Sequence, residues 1–160
     1  MVTISAEKQI TIYNFVTRDE EYSMLLRSKM TCVSITRDSR YILVNMADDE
    51  VQLIDIETAE IVRRFLGQKQ RSCVIRSCFG GADENLIISG SEGTYCVLLQ
   101  GHPTMLNITT DSRIYIWHKE NGTLIETLEG HGNGCVNAVA WNSANPGMFA
   151  SAGDDMIVRM

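Results

Sequence analysis

The sequence predicts an all-β fold built from repeated small antiparallel sheets, and three observations carry this prediction. Short apolar runs rich in Val, Ile and Tyr follow one another along the chain, and many alternate in polarity as half-buried strands do. Turn-forming pairs such as Asp-Ser, Gly-Gly, Asn-Gly and Asp-Asp separate these runs. A helical period of about 3.6 residues is nowhere sustained. We expect about fourteen strands along the chain.

Similar segments recur at a spacing that is typical of one repeat architecture. IYN at 12–14 is followed 41 residues later by LID at 53–55, and IWH at 116–118 begins 63 residues after that. The dipeptides GQ at 67–68 and GH at 130–131 each begin thirteen residues beyond the central residue of such a segment. A period of about 40–45 residues, with Gly-His near one end and Trp-Asp near the other, is the signature of WD40 repeats.

The predicted architecture is therefore a WD40-type β-propeller with about three and a half blades, since each repeat supplies four strands. Ring closure usually takes about four to eight blades, so we expect a partial propeller whose outermost sheets leave strand edges unpaired. The predicted units are a partial blade, a full blade, a blade interrupted by an insertion and a second partial blade, at residues 1–28, 29–67, 68–130 and 131–160.

An irregular insertion at residues 93–110 accounts for the long interval of 63 residues. Joining LIISGSE at 86–92 directly to DSRIYIW at 111–117 restores an ordinary strand–turn–strand hairpin and leaves this stretch in excess. One hypothesis is a translated intron, because codons for Gly93 and for the junction of Thr110 with Asp111 can supply GT and AG ends without a change of frame. The other is a genuine loop insertion between two strands, which surface turns tolerate. Both hypotheses remain open at the level of sequence.

WD40 repeats hold their blades together with a buried hydrogen-bonded network of a His, a Ser or Thr, an Asp and a Trp, and two units offer candidates for it. The candidates are Gln68, Ser89, Asp111 and Trp117 in the third unit and His131, Ser151 and Asp155 in the fourth. A hydrolase built on the last three is not predicted, because no nucleophile elbow or oxyanion loop accompanies the serine. We expect no catalytic residue and no enzymatic activity.

Composition and charge argue against several classes of function. The chain has 160 residues, 44% of them hydrophobic and 21% charged, as in one globular domain. A net charge of −6 argues against binding to a nucleic-acid backbone. No apolar run approaches the roughly 18 residues that span a bilayer. We therefore expect no nucleic-acid, membrane or small-molecule partner and no cofactor.

The cysteines and histidines do not predict a metal site or a disulfide framework. None of the three histidines lies at a metal-ligand spacing from a cysteine or another histidine. The cysteines form no CxxC pair, and we expect all of them to be reduced and buried. They are Cys32, Cys73, Cys78, Cys96 and Cys135.

Protein recognition is the class of function that remains, since propellers bind partners through loops on their faces. Positions just after the Gly-His dipeptide and just before the turn Asp are expected to face one side of the disc. The candidates for partner contact are Lys69, Arg71, Cys73, Asn133, Cys135 and Asp154.

Longer stretches of the chain resemble one family of WD-repeat proteins. They include CVSITRDSRYILVNMADDEVQLIDIETAEIVRRFLGQKQ from residue 32, VIRSCFGGADENLIISGSE from residue 74 and VNAVAWNSANPGMFASAGDD from residue 136. The FGGADE turn and the segment at 114–131 are more specific than general WD-repeat sequence. Apart from residues 93–110, the chain is similar to the C-terminal propeller of the WD-repeat subunit of the GID/CTLH E3 ubiquitin ligase, the WD repeat-containing protein 26 family.

The resemblance implies a non-catalytic scaffold that helps to assemble the ligase and recruits substrates for ubiquitylation and proteasomal degradation. It implies other ligase subunits and degradation substrates as protein partners, and a cytoplasmic location with the nucleus as a second compartment. Family members also carry a helical LisH–CTLH region to which nothing in this sequence corresponds, and we expect the chain to be a propeller fragment. A general WD-repeat platform in another complex and a truncated, non-functional gene product are the alternatives.

Overall fold

The computed structural model describes residues 1–93, 112–132 and 134–160, and these residues form fourteen β-strands. A 3-10 turn at Ala82–Glu84 is the helical element among them, and within these ranges no helix is long and apolar enough to cross a membrane. The strands are β1 (Val2–Ile4), β2 (Gln9–Tyr13), β3 (Glu20–Leu25), β4 (Met30–Ile35), β5 (Tyr41–Met46), β6 (Glu50–Asp55), β7 (Ile61–Leu66), β8 (Ser77–Gly80), β9 (Leu86–Gly90), β10 (Arg113–His118), β11 (Leu124–Glu129), β12 (Val136–Trp141), β13 (Phe149–Gly153) and β14 (Val158–Arg159).

The strands form four antiparallel sheets, and within each sheet the strands that follow one another in the chain are neighbours. The sheets contain β1–β3, β4–β7, β8–β11 and β12–β14. Small meanders of this kind, packed one after another in chain order, are the architecture of a partial β-propeller. The predicted all-β, propeller-type fold is therefore confirmed, whereas the residue bounds of the four predicted blades stay a prediction.

A separate hydrophobic core fills the space between each pair of neighbouring sheets. Between the second and third sheets, Leu53 and Phe65 belong to one buried cluster with Phe79 and Trp117. Two further clusters join the first sheet to the second and the third to the fourth. Strand β6 is buried along its whole length, because an inner sheet has a neighbour on both of its faces.

Strands β9 and β10 pair in unbroken register on either side of the insertion. Leu86 lies opposite His118, and Gly90 lies opposite Ile114. Most of the predicted insertion, 94–110, lies outside the described residues, so neither the intron hypothesis nor the loop hypothesis is decided. The register shows that the hairpin forms although its connection is long.

Connections between consecutive strands lie alternately at the two ends of the strands in each sheet, because consecutive strands are antiparallel. The connections at one end, together termed the upper edge, are β1–β2, β3–β4, β5–β6, β7–β8, β9–β10, β11–β12 and β13–β14. Connections of neighbouring sheets meet there. The backbone N–H of Gln70 donates to Oδ1 of Asp49 at 2.6 Å, and the N–H of Gly93 donates to the carbonyl of Gly134 at 3.1 Å. The loops of the upper edge are therefore continuous across three sheets.

Candidate interaction surface at the upper edge

His131 lies in the β11–β12 connection, and its ring joins two residues of the fourth sheet. Nδ1 lies 2.6 Å from Oδ1 of Asp155, and Nε2 lies 3.0 Å from Oγ of Ser151. Ser151 is in β13, and Asp155 is in the turn that follows this strand. The His131 side chain is fully buried, so water does not compete for these hydrogen bonds. They fasten the connection to the sheet.

The directions of these hydrogen bonds follow from the surroundings of Asp155. Burial opposes its ionisation, but hydrogen bonds from His131 and from the backbone N–H groups of Ile157 and Gly132 outweigh burial and hold the pKa of the carboxyl below its ordinary value. An ionised carboxylate only accepts hydrogen bonds, so Nδ1 of His131 donates to it. In the neutral ring, Nε2 then accepts the hydroxyl hydrogen of Ser151.

Serine hydrolases use the same three residue types, but this serine is in the wrong place for catalysis. A nucleophile must reach the carbonyl of a bound substrate. Ser151 is only 3% exposed, and Gly153 packs so closely on the His131 ring that a Cβ atom there would lie 2.7 Å from Cγ of the ring. The group therefore acts as a structural tie within the fourth sheet.

The candidates in the third unit are arranged differently. Gln68 is completely buried, and among the described residues neither its amide oxygen nor its amide nitrogen has a hydrogen-bond partner. Trp117 donates from Nε1 to the carbonyl of Leu66 at 3.2 Å, and Ser89 donates to the carbonyl of Gly90 at 2.9 Å. Within the described ranges, hydrogen bonds do not connect Gln68, Ser89 and Trp117 into one network. Asp111 lies outside the described residues.

Carboxylates hold the loops of the upper edge in place. Glu92 accepts hydrogen bonds from the backbone N–H groups of Arg71, Ser72 and Cys73 at 2.7, 3.0 and 3.1 Å, and from the Ser72 hydroxyl at 2.7 Å. Burial opposes the ionisation of Glu92, but these hydrogen bonds outweigh burial and hold its pKa below the ordinary value. Asp154 accepts from the N–H of Cys135 at 2.9 Å. The β7–β8 and β11–β12 connections therefore have fixed backbones.

Glu92 was not among the residues predicted from the sequence, although a signal for it exists. Asp154 was selected because it stands just before the turn Asp155. When residues 93–110 are set aside, Glu92 stands just before Asp111 in the same way. The insertion separates Glu92 from Asp111 in the sequence and so conceals this equivalence. The equivalence becomes visible when residues 93–110 are left out.

The residues predicted to contact partners have different exposures. Lys69, Arg71 and Asp154 are exposed at the upper edge. Lys69 pairs with Asp49 at 3.5 Å. Asn133 lies outside the described residues. The exposed members offer two positive charges and one negative charge on rigid loops, an arrangement suited to polar contacts with another protein.

Cys73 and Cys135 differ from the expectation that all cysteines are reduced. Cys73 is half-buried and Cys135 is fully buried, and a disulfide bond joins them. The expectation of reduced thiols is wrong for this pair, because the fold brings two distant connections together. The Cys135 side chain does not reach the surface of the described structure. Cys32 and Cys78 are free and half-buried.

Comparison with protein-family models finds a match in the last third of the chain. Residues 122–160 match the family described as WD domain, G-beta repeat. The matched residues extend from the β10–β11 turn through β14 and include the tie formed by His131, Ser151 and Asp155.

Curated relatives resemble nearly the whole chain. GID complex subunit 7 of Schizosaccharomyces pombe is 41% identical over 158 residues, which are 98% of this chain and 27% of the relative. The WD repeat-containing protein 26 homologs of Arabidopsis thaliana and Drosophila melanogaster are 36% and 34% identical, over 100% and 92% of this chain and 24% and 21% of their own lengths. The chain thus spans about a quarter of the length of these relatives. It contains a match to the WD40 repeat at residues 122–160 and is similar to the relatives named GID complex subunit 7 and WD repeat-containing protein 26 homolog.

Proposed function

We propose that the chain is a non-catalytic scaffold and substrate-recruiting part of a GID/CTLH-type E3 ubiquitin ligase, which directs target proteins to proteasomal degradation. The observation that carries the proposal is the 41% identity to GID complex subunit 7 over nearly the whole chain. The buried tie at His131 supports the non-catalytic part of the proposal, because the residues that resemble a catalytic group are shielded from any substrate. Function in such a fold belongs to its loops.

The upper edge is the surface that we propose for partner contact. Lys69 and Arg71 project from the β7–β8 connection, whose backbone Glu92 and Asp49 hold in one conformation. A loop that is ordered before binding loses little entropy when a partner docks. The exposed guanidinium of Arg71 and the ammonium of Lys69, which pairs with Asp49 at 3.5 Å, favour a partner whose contact surface carries carboxylates. Other ligase subunits and degradation substrates are the proposed partners.

Charge reversal at the upper edge tests the proposal. The tagged protein is captured from cells, and co-purified proteins are quantified by mass spectrometry for the wild type and for the double variant Lys69→Glu/Arg71→Glu. We expect RING-type ligase subunits or degradation substrates with the wild type and about a tenfold loss of a partner with the double variant, corresponding to about 1.4 kcal/mol. Imaging of the same tagged protein tests the proposed cytoplasmic location with a nuclear fraction.

A matched control separates a surface effect from a general effect of charge. Arg37 is also exposed but lies in the β4–β5 connection, at the opposite edge of the second sheet. Arg37→Glu should recover the same partners as the wild type. Recovery of other proteins without any RING-type subunit would contradict the ligase proposal and favour a general WD-repeat platform in another assembly. Failure to recover any protein would favour a non-functional product.

A further inference from the structure

The disulfide bond between Cys73 and Cys135 joins connections that belong to neighbouring sheets. Cys73 precedes β8, Cys135 precedes β12, and the two residues are 62 positions apart in the chain. All four strands of the third sheet lie between them in sequence. The bond therefore closes a covalent ring of chain that contains the whole third sheet. It links the connection before this sheet to the connection after it.

The two cysteines differ in their access to solvent. Cys135 is completely buried, whereas Cys73 is half-buried. Thiol–disulfide exchange begins when a thiolate attacks a sulfur that it can reach. Cys73 is therefore the sulfur that a thiol from solution attacks, and Cys135 is the leaving group.

Asp154 forms a group of three candidate metal ligands with the two cysteines, since their ligand atoms lie within 4.8 Å of one another. The sulfur that binds a metal is a thiolate, and here each sulfur is bonded to the other. The carboxylate of Asp154 already accepts hydrogen bonds from the N–H of Cys135 at 2.9 Å and from the Asn137 amide at 2.6 Å. These contacts favour thiol–disulfide chemistry over metal binding.

We propose that Cys73 and Cys135 are a reversible redox-modification site that locks and releases the two connections, with a glutathione-type monothiol as its reaction partner. In the opening direction, a glutathione thiolate attacks Sγ of Cys73, a new S–S bond forms, and Cys135 leaves as a thiolate that takes a proton from water. A second glutathione thiolate attacks the glutathione sulfur of the mixed disulfide and releases Cys73, which is protonated in turn. Two protein sulfurs are reduced, two glutathiones become one glutathione disulfide, and closing is the reverse.

Opening changes the two connections more than it changes the sheets. Glu92 accepts hydrogen bonds from Arg71 and Ser72, Gly93 donates to Gly134, and none of these hydrogen bonds involves a sulfur atom. The hydrophobic cluster between the third and fourth sheets does not involve either cysteine of the pair. We expect faster local opening at residues 67–76, 130–132 and 134–135 with the strands retained.

Peptide mass spectrometry of the intact protein, purified with its free thiols blocked, tests the proposal. Trypsin cleaves after Arg71 and Arg76, so Cys73 lies in the short peptide SCVIR, apart from Cys78. We expect this peptide to be joined to the peptide that contains Cys135, and the joined mass to be lost after treatment with excess reduced glutathione. Amide hydrogen exchange at 67–76, 130–132 and 134–135 should rise with that loss and fall again when glutathione disulfide is added.

Two variants and a metal measurement complete the test. In the Cys73→Ser variant, the amide hydrogens of both connections should exchange rapidly without any reductant. Cys78 lies outside the pair, so the Cys78→Ser variant should respond to glutathione as the wild type does. Absence of the joined peptide, or exchange rates that do not change when it is lost, would overturn the proposal. One zinc ion per chain, released when the thiols are modified, would also overturn it. None of these readouts needs a ligase partner, so they are independent of the proposed function.

Discussion

Gly80 on β8 and Trp141 on β12 lie so close that a Cβ atom at position 80 would overlap three atoms of the indole ring, the farthest of them at 2.8 Å. The ring has little freedom to move away. It stacks on Phe149 with 5.3 Å between the ring centroids, and its Nε1 donates to the carbonyl of Pro146 at 3.1 Å. The close approach of the third and fourth sheets therefore requires a residue without a side chain at position 80.

Gly80→Ala should lower the free energy of unfolding by about 1–3 kcal/mol, because an added methyl group overpacks this contact. Chemical denaturation of the variant and the wild type measures the difference. Gly132→Ala is the matched control, since no described residue apart from its chain neighbours lies within 4 Å of a Cβ atom built at that position. Equal losses for the two variants would show that the contact with Trp141 does not limit the packing of the sheets.

Ser151→Ala should destabilise the protein, whereas Ser77→Ala should not. Both serines lie in strands and are 3% exposed. The Ser151 hydroxyl satisfies Nε2 of the buried His131, and its removal should cost about 1–3 kcal/mol of unfolding free energy. The Ser77 hydroxyl is buried and finds no hydrogen-bond partner in the part of the chain that the structure describes, so its removal should be neutral or stabilising. Denaturation curves of both variants check this, and a reversed order would contradict the assigned tie.

Glu92 should stabilise the protein at neutral pH and lose this effect in acid. Its pKa is lower in the folded protein than the ordinary 4.5, because the hydrogen bonds from the β7–β8 connection outweigh the opposing effect of burial. Stabilisation by such a group is complete above the unfolded pKa and disappears as the pH falls through the lower folded pKa. The difference in thermal midpoint between the wild type and Glu92→Gln should therefore shrink below about pH 4.5.

The control for this pH dependence is Glu129→Gln, which removes the same charge from an exposed position on β11. Thermal unfolding of the three proteins from neutral pH to about pH 3 makes the comparison. If the Glu92 and Glu129 variants follow the same pH dependence, the hydrogen bonds to Arg71, Ser72 and Cys73 do not carry the effect.

Deletion of residues 93–110 should leave a stable protein. Five residues would then separate the paired residues Gly90 and Ile114, the same number as separate Ala152 and Val158 in the β13–β14 hairpin. A shorter connection costs less entropy to close, so the free energy of unfolding should stay the same or rise by up to about 1 kcal/mol. Circular dichroism and thermal unfolding test this expectation, and loss of a cooperative transition in the shortened chain would refute it.

Much of the fold could be predicted because its signals are local. The paired strands β5 and β6 stand in the sequence as alternating or continuous apolar runs with Asp-Asp between them. The tie of His131 to Ser151 and Asp155 was also predictable, since the spacing of these residues within one repeat brings them together. The complete burial of β6 was not predictable from its own residues, because it depends on a neighbouring sheet on each face.

The sequence by itself determined the all-β fold, the recurrence of its units and the residues that can tie one unit together, since alternation and turn chemistry act over a few residues. Only the tertiary structure decided which loops meet at the upper edge. Glu92 reaches the backbone of Arg71 to Cys73, and Cys73 bonds to Cys135 across 62 positions. These contacts depend on how whole sheets pack against one another, and the alternation and turn signals within one unit do not specify that packing.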